Sequence, residues 1–331
     1  MTVQLTPTIP GTGRQAPTMG SWLLLILLGM IWGGSFLGVE MALRDFGPIT
    51  IAMVRVLLAA IILTIVAQLT GHHLPSISTA VGRRTWLHCF GMGLFSNALP
   101  FSLLAWGQQS VTTNFAGICM AVVPLLVLPL SHFLIPDERM TRSKIVGFLL
   151  GFVGVVLLVA GDSLLEGLFT NLQSGDGVDN APIQGILWAQ IACVIASCCY
   201  AVGTIVTKLC PPISTLAFSA TGLLLGSTML IPTALIIEGV PSLPSLAGSI
   251  GVLYLGLMAT ATATILLVLL IKNAGPPFLT LVNYQVPVWA VLIGVMVLSE
   301  SLPGHFLLAL LFILVGLAIS QFYDRWKTTQ S

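Results

Sequence analysis

Ten apolar runs of roughly the length that crosses a bilayer core as an α-helix (about 20 residues) dominate this chain of 331 residues. They fall near 22–39, 50–69, 86–107, 115–135 and 144–160, and again near 184–206, 214–237, 250–271, 278–298 and 304–323. Ordinary helix breakers separate them: Gly47-Pro48, Gly71 with Pro75, Pro136, Pro211-Pro212, Pro241 with Pro244, Gly275-Pro276-Pro277 and Pro303. Only 7% of the residues are charged, against about a quarter in a soluble domain whose surface must be hydrated. Such a chain takes lipid as its solvent. The expected fold class is an all-α membrane protein of ten transmembrane helices, multi-pass in the plasma membrane (the bacterial inner membrane).

Several function classes drop out at this stage. The twelve basic residues are scattered singly or in pairs, so they build no phosphate-binding stripe and no nucleic-acid partner is expected. The six cysteines, at 89, 119, 193, 198, 199 and 210, lie in or beside apolar runs without zinc spacing. They read as small apolar fillers, and no metal or cofactor is expected. No Gly-x-Ser-x-Gly, His-Glu-x-x-His or nucleotide-binding loop is present, and no Asp or Glu lies within a run. That argues against a membrane-embedded enzyme and against ATP-driven transport by this chain alone. Residues 1–21, rich in Thr, Pro and Gly, lack a signal peptide's apolar core and read as a disordered cytoplasmic tail. A second tail is expected at 324–331, and a mobile extramembrane loop at 161–183.

With ten crossings both termini lie on one side. Loops on that side hold Arg14, Arg83, Arg84, Arg139, Arg142, Lys144, Lys208, Lys272, Arg325 and Lys327; the opposite loops hold Arg44, and Arg55 lies inside a run. Lys and Arg in short loops stay cytoplasmic, which puts both termini inside.

The second half, 184–323, repeats the first, 22–160, at an offset of 162–164 residues. Pro48-Ile49-Thr50 recurs as Pro212-Ile213-Ser214. Gly93, Leu94, Ala98, Phe115 and Pro124 fall on Gly256, Leu257, Ala261, Phe278 and Pro287, and Glu138 falls on Glu300. Five helices is an odd number, so the second half enters the membrane upside down. Inverted repeats are the architecture of alternating-access carriers, with the site near midplane between the halves. Duplicated halves can also build channels or scaffolds. A channel, though, wants rings of like residues or a filter, and no such segment occurs.

These features come together in one resemblance. The chain resembles the drug/metabolite transporter superfamily, specifically proteins with two EamA domains. The matching residues are Trp32-Gly33-Gly34-Ser35-Phe36, Arg55, Pro124, Glu138-Arg139, Gly147 and Gly154, with Pro287, Glu300 and Gly316 in the second half. The resemblance spans nearly all of 22–322. It implies a ten-helix metabolite or drug transporter, often an exporter, with a central cavity between the halves. Ser219 departs from the pattern, standing where the repeat would place a second arginine.

Arg55 is the one ionisable side chain well inside a run. A charge there faces the protein interior or a wet cavity. It either attracts an anionic, carboxylate-bearing substrate or snorkels outward to pair with Glu40 or Glu300. Pro124 and Pro287, central in the fourth and ninth runs, free backbone carbonyls in matching places. They mark either the site or packing kinks. Trp32, Ser35, Asn97, Trp106, Tyr200, Thr260, Asn283 and Tyr284 are polar or amphipathic residues at cavity depth. Glu138 and Glu300 end the fourth and ninth runs, as gates or as plain solvated helix ends. The expected partners are the bilayer and a small-molecule solute, with a lean toward a carboxylate. The chain would act as monomer or homodimer, and as exporter or exchanger rather than as an enzyme.

Overall fold

The computed structural model describes residues 17–136, 138–170 and 181–328. Of the expected first tail, 1–16 lie outside the described residues, as do 171–180 of the expected loop and 329–331 of the second tail; the described parts of that loop and second tail are helical. Every regular element described is a helix. In chain order the apolar helices are α1 (Met19–Ala42), α2 (Pro48–Leu69), α3 (Ala80–Gly107), α4 (Thr113–Leu134), α5 (Arg142–Gly161), α6 (Gly185–Lys208), α7 (Thr215–Ile237), α8 (Leu246–Ala274), α9 (Val282–Leu298) and α10 (Gly304–Gln321). Among the described residues all but α9 are long and apolar enough to cross a membrane. The run expected over 278–298 comes in two pieces, a single turn Pro276–Leu279 followed by α9. The chain reverses at Gly275, whose φ of 82° favours glycine, and two prolines then open the short turn. Helix extends further than the apolar runs suggest, through Thr170 after α5, from Ala181 before α6 and through Thr328 after α10.

Start signals sit where capping chemistry asks for them. The hydroxyls of Thr18, Thr79, Thr112, Ser214 and Ser245 each accept from a backbone N–H in the first turn of the helix that follows, which satisfies a donor that has no partner within the helix.

The two halves interlock, and the main helix packings recur when each helix is exchanged for the one five places away. α1 packs on α8 and α9, while α6 packs on α3 and α4; α2 packs on α8, and α7 on α3. α2 with α7, α4 with α9 and α5 with α10 pack against their own mates. Each of these pairs is antiparallel. The start of α2 meets Glu238 at the end of α7, the start of α4 meets Glu300 just past α9, and Gly161 at the end of α5 meets His305 at the start of α10. Helices related by the repeat therefore run in opposite directions, the physical content of an inverted repeat. The α5–α10 pair is the tightest. A Cβ at Gly147 would run into the Gly316 carbonyl, one at Gly316 into the Gly147 carbonyl, and one at Gly154 into Ala309. Backbones that approach this closely are the membrane form of small-residue packing. Below, the terminal face is the one where α1 begins and α10 ends, and the far face is its opposite.

Candidate functional site

Arg55 is only 7% exposed and points into the seam between halves. Its Nε donates to Thr260 Oγ1 at 2.8 Å, and its guanidinium carbon lies 3.7 Å from the centre of the Phe101 ring. Tyr200 and Tyr254 are its electrostatic neighbours, and the Tyr200 ring meets Phe101 edge-on at 6.3 Å. Among the described residues Arg55 has no acidic partner, so the snorkelling alternative is not what the fold adopts. Glu300 is engaged elsewhere, by the Thr113 and Asn114 N–H groups. An arginine held by a ring face and one hydroxyl retains donors in its planar fork, which matches a carboxylate.

The backbone around it is specialised in both halves. α3 widens to a π-helix over Gly93–Ala98, and α8 does so over Tyr254–Thr262. In each, a side chain adds a further bond to a carbonyl of the turn. Asn97 Nδ2 donates to the Met92 carbonyl at 3.2 Å and Thr260 Oγ1 to the Leu255 carbonyl at 2.9 Å, each five residues back. Pro100 lies just beyond the first π segment and lacks the N–H that a regular helix would use. π-turns are frequent at functional sites. In α8 the turn presents Thr260 to Arg55. Thr260→Val, which keeps the shape but removes the hydroxyl, should weaken substrate binding by about 1.5–3 kcal/mol, the range for a hydrogen bond to a charged group. The KM of substrate uptake in proteoliposomes checks it.

Two further bonds tie α1 to this region. Trp32 Nε1 donates to the Ala259 carbonyl at 3.2 Å, and the Tyr254 hydroxyl donates to the Ile31 carbonyl at 2.9 Å. Ser35 bonds locally, to the Trp32 carbonyl.

Toward the terminal face a cleft of about 310 Å³ opens, lined by Pro124, Ser131, Glu138, Arg139, Lys144, Thr204, Lys208, Thr280 and Asn283 among others. That volume is at the small end of ligand sites. Tyr200, Thr204 and Lys208 lie at i, i+4 and i+8 on α6, so one helix face leads over about 12 Å from the Arg55 group to the cleft mouth. Among the described lining residues three basic side chains stand against one carboxylate. Lys208 and Glu138 form an ion pair there, with both side chains substantially exposed. The hydrogen bond from Lys208 outweighs partial burial and holds the Glu138 carboxyl below its ordinary value. A lowered acid keeps its ion pair above the ordinary carboxylate value and loses it only as pH falls through the lowered one. From about pH 6 to 8 the pair is therefore intact. Glu138→Gln should leave the shape of the pH profile of uptake unchanged over that window; a flattened or displaced profile would mean that Glu138 titrates during transport.

The sequence-derived candidates thus separate into groups. Arg55, Thr260, Tyr200 and Trp32 gather around the α8 π-turn. Pro124, Asn283 and Glu138 line the cleft, and Tyr284 packs against the apolar core beside it. Asn97 occupies the mate position of Thr260, in the α3 π-turn. Trp106, 46% exposed at the end of α3, has no hydrogen bond to a described residue and is not drawn into either group. The matched prolines differ in setting: Pro124 opens a helical segment just after a break at Ala121-Val122, whereas Pro287 is buried inside α9. Phe101 and Tyr254 escaped the sequence reading, since an aromatic in an apolar run carries no mark of facing a cation.

With this geometry the chain matches the EamA-like transporter family over residues 20–160 and 185–322, one segment for each half. It belongs to that family. An uncharacterized inner membrane transporter of Escherichia coli K12, YedA, is 28% identical over 280 residues, covering 84% of this chain and 83% of its own. Protein PecM of Dickeya dadantii is 24% identical over 295 residues, covering 88% and 89%. The uncharacterized transporter YoaV of Bacillus subtilis is 21% identical over 306 residues, covering 92% and 97%. A crystal structure at 18% identity superposes with a TM-score of 0.61 over 92% of this chain and 99% of that one, a likeness of fold. This EamA-like chain is accordingly a multi-pass membrane transporter. Within it the two halves have diverged where it matters chemically: Arg55 in α2 faces the α8 π-turn, while its mate Ser219 in α7 is a small buried hydroxyl.

Proposed function

We propose that this protein is an alternating-access carrier, an exporter or exchanger, for a small carboxylate-bearing metabolite or drug-like solute. It would lie in the bacterial plasma membrane with both termini cytoplasmic, so that the terminal face and its cleft open to the cytoplasm. The bias of Lys and Arg toward the loops of that face supports the orientation. The observation that carries the substrate class is Arg55, a buried cation with no acid beside it among the described residues. A charge at that depth is retained for a counter-ion that comes and goes. Arg55 is the anchor, Thr260 sets its orientation, and Phe101, Tyr200, Tyr254 and Trp32 shape the amphipathic walls. Asn283, Thr204 and the basic cleft mouth form the approach. Pro124 and Pro287 are the flexing points, and Glu138 and Glu300 the gates on the two faces.

Counterflow into liposomes holding purified protein, screened over a metabolite panel, tests this reading. Carboxylates should accumulate saturably and their amide analogues should not. No saturable uptake of any panel member would turn the assignment toward a scaffold.

A further inference from the structure

The two faces of the bundle are fastened by different chemistry. At the far face three carboxylates each grip the start of a helix from the opposite half. Glu238, at the end of α7, accepts from the N–H groups of Ile49 and Thr50 at 2.9 and 2.8 Å and from the Thr50 hydroxyl at 2.7 Å. Glu300, just past α9, accepts from the Thr113 and Asn114 N–H groups at 2.8 and 2.9 Å. Asp45, after α1, accepts from the N–H and the hydroxyl of Ser245 at the start of α8. A carboxylate on a helix N-terminus combines charge-assisted hydrogen bonds with the positive end of the helix dipole. The Glu300 clasp is also built into the backbone. Ser299 adopts φ 54°, the one positive-φ non-glycine among the described residues, and this turns the chain so that Glu300 N–H caps the Gly294 carbonyl.

At the terminal face the repeat-related positions cannot do the same. Glu138 is the mate of Glu300, but the mates of Thr113 and Asn114 are Pro276 and Pro277, which have no N–H to give. The mates of Glu238 and Asp45 are Leu74 and Leu209. Among the described residues, what crosses that face is the exposed ion pair of Lys208 with Glu138, a bond between the His88 ring and the Val206 carbonyl, and the edge contact of Trp22 with Phe278. None of these is a carboxylate gripping a helix start, and exposed ion pairs contribute little.

We infer that these three clasps form a one-sided lock that makes the conformation closed at the far face and open to the cytoplasm the resting state of the carrier. A counterweight is present as well. The Asn114 side chain is fully buried with neither its oxygen nor its nitrogen bonded to a described residue, and Thr113 Oγ1 is in the same condition. Buried polar groups left unpaired oppose the closed state. Opening would wet them, so the lock is strong enough to set the resting state and still able to release. Substrate arrival at Arg55, in the alternating-access reading on which this rests, would then have to supply the bias that opens the far face.

Hydrogen–deuterium exchange on the full-length protein in lipid nanodiscs reads the lock without any substrate. In Glu238→Gln/Glu300→Gln, exchange at the amides of 49–50 and 113–114 should rise about tenfold or more, while exchange around 204–210 and 138–145 falls as the terminal face closes. Should that variant not fold, Pro276→Thr/Pro277→Asn supplies the missing donors to Glu138: the two new amides should exchange well below their unprotected rate, and exchange at 113–114 should rise. No change at the far face, or a rise at both faces together, would overturn the inference, the first because the clasps hold nothing and the second because they only stabilise the fold. Either outcome leaves the counterflow test standing on its own, and a failed counterflow leaves the exchange result readable.

Discussion

Arg55→Ala should reduce carboxylate uptake in proteoliposomes by about 10- to 100-fold or more, the equivalent of losing one or two hydrogen bonds to a charged group, while thermal unfolding in the same lipid stays unchanged or moves upward. The second half of that expectation separates substrate binding from structure. A buried charge without an ionic partner works against the folded state, and its replacement by a small apolar side chain relieves that burden. The Phe101 ring and Thr260 lose a neighbour, but Thr260 keeps its bond to the Leu255 carbonyl, so the π-turn stands. Arg55→Lys should recover part of the uptake: it keeps the charge and loses the planar fork that fits a carboxylate. Unimpaired transport by a folded Arg55→Ala protein would remove the anchor from the account. Lost transport accompanied by a large drop in the unfolding temperature would make Arg55 structural instead.

Gly316→Leu, and independently Gly147→Leu, should lower the unfolding temperature strongly and reduce the yield of folded protein. At this crossing the backbones of α5 and α10 meet, and an added Cβ would strike a carbonyl oxygen rather than a flexible side-chain end. Overpacking typically destabilises by about 1–3 kcal/mol, and a backbone clash has little room to relax, so the upper end of that range or more is expected. Gly304→Ala and Gly185→Ala are the controls, because a Cβ at either position meets nothing; both should leave stability unchanged. If the α5–α10 pair tolerates leucine at Gly316, the close approach of these mates is not what binds the halves together at that edge.

Most of the architecture was legible in the chain. The all-helical fold follows from the hydrophobic runs, because lipid forces every backbone bond inside a segment; among the described residues nine helices are long and apolar enough to cross, and the ninth run gives a shorter one. The inversion follows from parity once the repeat is seen, and the antiparallel packing of α2 on α7, α4 on α9 and α5 on α10 is its structural form. The site was legible only in part. Arg55 stood out because a charge in an apolar run has no bland surroundings, and Thr260 and Asn97 because they align as mates. Their shared feature, a side-chain bond to a carbonyl five residues back in a π-turn, was not readable, since Pro100 marks such a turn in α3 and nothing marks it in α8. The division of α9 was half signalled by Gly275-Pro276-Pro277. The clasps were hidden for a different reason. Glu238 and Asp45 sit in loops where any acid reads as solvated, and their partners, backbone N–H groups with one hydroxyl each, lie about 190 residues or more away, a distance at which no local pattern links them.

The most direct test of the central claim, a carrier that exposes one site alternately to two faces, is a pair of distance measurements in nanodiscs. Spectroscopic labels at the exposed positions Gln109 and Ser242 span the halves at the far face, and labels at Arg139 and Leu209 span them at the terminal face. Without substrate the far-face pair should be narrowly distributed and the terminal-face pair broadly so, because an exposed ion pair beside the second labels restrains them weakly. A transported carboxylate should lengthen the first distance and shorten the second. Distances that stay fixed, or that lengthen together, would contradict alternating access by these inverted halves.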